Sequence, residues 1–173
     1  LELSIEGFSV RMDSFSVRSG KSTVFYQRLR VMVDTAGKTA RIYKETPLLS
    51  DLGKSLGGQD VIVGDPAFDG AFVVKSNDPA WIERTLGGER GMRARHAHLG
   101  ARSEDVTLDE SGLLECQRRG RGGDLATCRA QLELALGYAH ALSSRAPALA
   151  PAASPELTAG DDAWSGPPDG SAW

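Results

Sequence analysis

The chain has 173 residues, room for one domain with or without a tail and too few for two ordinary domains. Hydrophobic residues at 40% and charged residues at 25% are globular proportions, while 6% aromatics and 20 glycines predict many turns around a modest core. Two cysteines exclude a disulfide scaffold and a four-thiolate zinc site, and a net charge of -3 argues against a general nucleic-acid binder.

That charge is unevenly spread. All 20 Lys and Arg residues precede Ala146, whereas five of the eight prolines and four acids (Glu156, Asp161, Asp162, Asp169) follow it. Residues 1–145 read as one domain near neutrality. Residues 146–173 read as an acidic Pro/Ala-rich tail, expected to be extended or disordered because Pro donates no hydrogen bond and Ala, Ser and Gly bury little area.

In chain order, Leu1, Leu3 and Ile5 alternate with polar residues at the period of a half-buried strand. Phe8, Val10 and Met12 continue one residue out of phase, which predicts a bulge or bend at Gly7. Phe15 and Val17 extend the pattern. A second strand is expected over 23–33, with the turn Arg18-Ser-Gly-Lys-Ser22 between the two, and a third over Ala40–Tyr43. Residues 47–58 read as a loop or a single helical turn. Asp60–Val63 and Ala71–Lys75 are further strand candidates.

Asp78-Pro79 is a helix start, since Asp accepts from orphan amides and Pro suits the first helical position. Trp81, Ile82, Thr85 and Leu86 share a face until Gly87-Gly88, and residues 89–99 could add a second short helix. Val106–Leu108 and Leu113–Arg118 form a hairpin. Asp124 caps a last helix whose apolar stripe (Leu125, Cys128, Leu132, Ala135, Leu136, Ala139, Leu142) is expected to cover the sheet. The predicted class is α+β, a mostly antiparallel sheet covered by two or three helices.

Few motifs survive inspection. Gly20-Lys21-Ser22 and Gly53-Lys54-Ser55 match half a phosphate-binding loop, but the earlier glycine is replaced by Phe15 and Leu48. Asp65 and Asp69 are carboxylates in a Gly/Pro-bounded loop that could serve as an acid/base pair, against a structural reading in which Asp65 nucleates a turn and Asp69 caps a strand. His96, His98, His140, Cys116 and Cys128 show no established metal spacing, so neither a metal nor a cofactor is implied. Arg93, Arg95, His96, His98 and Arg102, with Arg118 and Arg119, form the densest basic segments. They are the candidate binding surface if the fold unites them, with a solvated face as the alternative. No aromatics interleave with them, which disfavours nucleic acid.

The segments GQD at 58–60, GDPAFD at 64–69 and FVVKSND at 72–78 resemble an uncharacterised bacterial domain family whose members often carry membrane anchors. The resemblance spans about residues 1–145 and implies a possible upstream anchor and no catalytic residues. No run here approaches the roughly 18 apolar residues of a membrane span, so membrane contact would be only through an anchor not present in this chain. Beginning at Leu1 without a signal-peptide pattern, the chain is expected to be a processed or partial product, cytoplasmic or at the cytoplasmic face of a membrane.

The expectation is a non-enzymatic binding or scaffolding module, the alternative being a hydrolase that uses the Asp65/Asp69 loop. Trp164 and Trp173, each near acids, are candidate anchors through which the tail could meet its own domain, another copy or a protein partner.

Overall fold

The computed structural model describes residues 1–44, 60–101, 105–120 and 123–144. Seven strands make one antiparallel sheet: β1 (Glu2–Ile5), β2 (Phe8–Ser19), β3 (Ser22–Met32), β4 (Ala40–Tyr43), β5 (Val73–Ser76), β6 (Asp105–Leu108) and β7 (Leu113–Arg119). Their spatial order is β1-β2-β3-β7-β6-β4-β5. Among the described residues four helices accompany them: α1 (Pro66–Asp69), α2 (Pro79–Gly87), α3 (Glu89–Gly100) and α4 (Leu125–Leu142). The class is α+β, as the alternating patterns predict.

Alternation along each strand sorts the two faces. Val10, Leu29, Val31, Ile42, Val74, Val106, Leu114 and Cys116 are buried on one face, where they meet Leu134, Ala135, Tyr138 and Leu142 of α4. The opposite face is charged. Arg28 makes a two-pronged pair with Asp13 at 3.0 Å on each arm and lies over the Phe15 ring, while Glu115 bonds Arg30 at 3.2 Å. On this face the long side chains keep their charges at solvent, so the sheet needs only one layer of helices.

The helices begin where the sequence puts their caps. The Asp78 carboxylate accepts from Trp81 N at 3.0 Å and the Asp124 carboxylate from Thr127 N at 2.8 Å. Residues 89–100 form a full helix. Gly137 brings α4 against α3 so closely that a Cβ there would lie 3.0 Å from Ala94 Cα. Among the described residues, no helix is long and apolar enough to cross a membrane.

One local expectation is narrowed and another corrected. Of the bulge or bend expected at Gly7, the chain makes a bend, a tight turn, and not a bulge. Ile5 pairs with Phe8, and Glu6 and Gly7 both take positive φ (51° and 81°), the two-residue turn whose twist matches a hairpin. Nor does Asp60–Val63 form a strand. Val61 N donates to Val74 O at 2.9 Å, but Val63 N is diverted to the Asp69 carboxylate, and the ladder stops after one bond. The 47–58 and Gly53-Lys54-Ser55 readings lie outside the described residues. Gly20, at φ 58°, sits in the β2–β3 hairpin rather than before a helix.

Candidate functional site: an apolar groove beside the first turns of helix four

The Asp65/Asp69 loop is the first place to look for chemistry. Asp65 caps α1, its Oδ1 accepting from Ala67 N and Phe68 N at 3.2 Å each, and its Oδ2 accepts from Arg95 Nε at 3.0 Å. The Arg95 guanidinium is the first cause holding the Asp65 carboxyl below the usual range, with the Phe68 amide next. Asp69 turns back over the loop and accepts from Val63 N, Gly64 N and Asp65 N, all at 3.0 Å. It therefore ties the preceding segment rather than capping the strand that follows. Every oxygen of the two carboxylates thus accepts at least one hydrogen bond from the fold.

The six described members of the basic set do not form one surface. Arg95 is buried, donating to Asp65 and to the Leu86 carbonyl at the end of α2. His98 is wholly buried, edge-on to Tyr138 and close over Phe72, with Nδ1 2.7 Å from the Tyr138 hydroxyl. Burial first, and the Lys44 charge second, push the His98 imidazole down to about 3, so it is neutral at physiological pH. Reading these two as surface groups is corrected on that ground: each has a partner far along the chain that rewards burial.

Arg93 bridges Glu133 at 3.0 Å and Glu6 at 3.3 Å, and half-buried Arg118 donates to Gln27 Oε1 at 3.0 Å. His96 and Arg119 are exposed, but His96 is on α3 and Arg119 on the sheet face turned away from the helices. Arg102, Trp164 and Trp173 lie outside the described residues. Among the described residues no group of three His, Cys, Asp or Glu side chains is placed to hold a metal.

A concavity of a different character lies elsewhere among the described residues. A groove of about 650 Å³ opens between the first three strands and the first turns of α4. Leu1, Leu3, Val10, Met12 and Leu29 line one wall, and Leu125, Cys128, Arg129 and Leu132 the other. Leu125 is 86% exposed and Leu3 43%, so apolar surface stands open to water beside it. Arg129 is the one charged side chain in the lining, and it forms no ion pair among the described residues.

Behind the floor, buried Gln27 directs Nε2 to Met12 Sδ at 3.1 Å and lies 3.7 Å from Cys128 Sγ. That contact holds the two sulfur side chains in place. Cys128 is half-buried at the groove, whereas burial pushes the Cys116 thiol well up and keeps it inert.

The sequence supplied the stripe Leu125, Cys128, Leu132 but assigned it to the sheet interface. Only the C-terminal half of the stripe is covered that way. The strand residues of the groove alternate like any core face and gave no separate signal. No family model matches this chain, and neither the curated proteins nor the solved structures contain a significant match.

Proposed function

We propose that the chain is a non-enzymatic binding module and that the groove between β1–β3 and α4 receives its partner. The groove carries this reading. It is a large open concavity with apolar walls, one charged side chain, the Arg129 cation, and no carboxylate in its lining, a design suited to an apolar group that bears or neighbours a negative charge. Transfer of apolar surface from water supplies affinity, and the guanidinium supplies orientation.

The bonding of Asp65 and Asp69 weighs against the hydrolase alternative, since both serve the loop's own amides and the Arg95 pairing makes Asp65 a weaker base, away from the near-neutral value a general base needs. Titration with anilinonaphthalene sulfonate, an apolar anionic fluorophore, tests the assignment. The pair Leu3→Glu and Leu125→Glu changes two exposed groove residues, and weakens binding about tenfold, the factor that 1.4 kcal/mol represents. Unchanged affinity in that variant overturns the assignment.

A further inference from the structure

We infer that the groove is occupied in cis by the chain's own acidic C-terminal segment, with Trp164 as the anchor and Asp161 and Asp162 set against Arg129. The inference rests on the reading of the groove as the binding site, and it adds a regulator: an outside partner must displace the tail.

Geometry permits the contact. Chain leaves α4 at Ser144, while the groove lies beside the opposite end of the same helix. From Leu142 back to Cys128 is about 21 Å at the helical rise. The twenty residue steps from Ser144 to Trp164 include three prolines, and at the rise of about 3.1 Å per residue of a Pro-rich chain they reach well beyond the distance to be bridged. A segment long enough to reach its site on the same chain makes the contact intramolecular and so raises its effective concentration.

Chemistry selects the segment. The sequence after Arg145 has four acids and no Lys or Arg, and Arg129 is exposed at the groove. Indole offers the largest apolar face of any side chain, and few rotatable bonds are frozen when it docks. Trp164 has two acids within three residues, whereas Trp173 has only Asp169, four residues before it. Trp164 is thus the better match to an apolar groove that carries the Arg129 cation. A tail held there lowers the apparent affinity of any competing ligand by the fraction of chains left open.

Cys128 reports groove occupancy directly, because it lines the groove and the other thiol, Cys116, is fully buried. The rate of Cys128 modification by an aromatic disulfide reagent is measured on the full chain, as parent, Trp164→Ser and Asp161→Asn/Asp162→Asn. Anilinonaphthalene sulfonate affinity is measured on the same three. The expected result is labelling about tenfold faster and fluorophore binding about tenfold tighter in Trp164→Ser, a smaller change in the same direction for the double Asn variant, and rates independent of protein concentration. Equal labelling with equal, measurable fluorophore binding in all three overturns the tail contact and leaves the groove as a site. Equal labelling with no fluorophore binding in any overturns both. Protection of Cys128 that grows with protein concentration overturns the contact in cis and assigns the groove to a second copy's tail.

Discussion

Arg95 donates its Nε hydrogen to Asp65 Oδ2 at 3.0 Å, pinning α3 to the loop that opens α1. The same guanidinium donates to the Leu86 carbonyl, one of the orphan acceptors that close α2. One buried side chain therefore fastens three helices. The loop that most resembles an active site in the sequence is a joint of the fold.

Substitution of that joint separates structure from chemistry. Arg95→Met leaves the Leu86 carbonyl without this donor and lowers stability by about 1–3 kcal/mol. Asp69→Asn replaces an acceptor of three backbone amides and lowers the melting temperature as well. Urea melts of both variants check this. An unchanged melt of Asp69→Asn, together with loss of a hydrolytic activity, would return the loop to catalysis.

A second consequence concerns pH. The folded His98 value, about 3, lies below the unfolded value of 6.5, so the unfolded chain takes up the proton first. Stability from this group is complete above about pH 6.5 and declines as pH falls toward 3, by about 1.4 kcal/mol per unit inside that window. Asp65, Asp78 and Asp109, whose values are lowered by Arg95, Lys38 and Ser111 in turn, add losses only as pH falls below their unfolded value of 3.8. Unfolding free energies of the parent and His98→Asn between pH 7 and about 4.5 should diverge in slope, the variant being flatter. Equal slopes would contradict a neutral, buried His98.

The two ends of α4 respond differently to substitution. Gly137→Val drives a side chain into Ala94 of α3, at a backbone-to-backbone approach with no room to yield, and costs about 1–3 kcal/mol. Leu125→Glu, at an exposed position, changes stability by no more than about 0.5 kcal/mol while reducing occupancy of the groove. Denaturant midpoints give both numbers. A large destabilisation by Leu125→Glu would show that the first turn of α4 is core rather than groove wall.

What the sequence displayed and what it hid follow from the range of the forces involved. Strand alternation, the Asp78-Pro79 and Asp124 caps and the 109–112 turn are local, and the fold bears them out. At Gly7 the expected bulge or bend is a two-residue hairpin turn, which leaves the same phase change as a bulge and so is not told apart from it by alternation alone. Arg95 and His98 were read as surface from their composition. Their burial depends on Asp65, 30 residues away, and on Tyr138, 40 away. The groove was hidden for a related reason. Helical spacing says that Leu125, Cys128 and Leu132 share an apolar face, but not whether another element covers it.

The most direct measurement is a methyl-NMR titration of the full chain with anilinonaphthalene sulfonate. Leu3, Met12, Leu125 and Leu132 should carry the largest shifts, with Val61 and Val63 beside the Asp65/Asp69 loop unmoved. Shifts concentrated at Val61 and Val63, with the four groove methyls silent, would contradict the groove as the binding site.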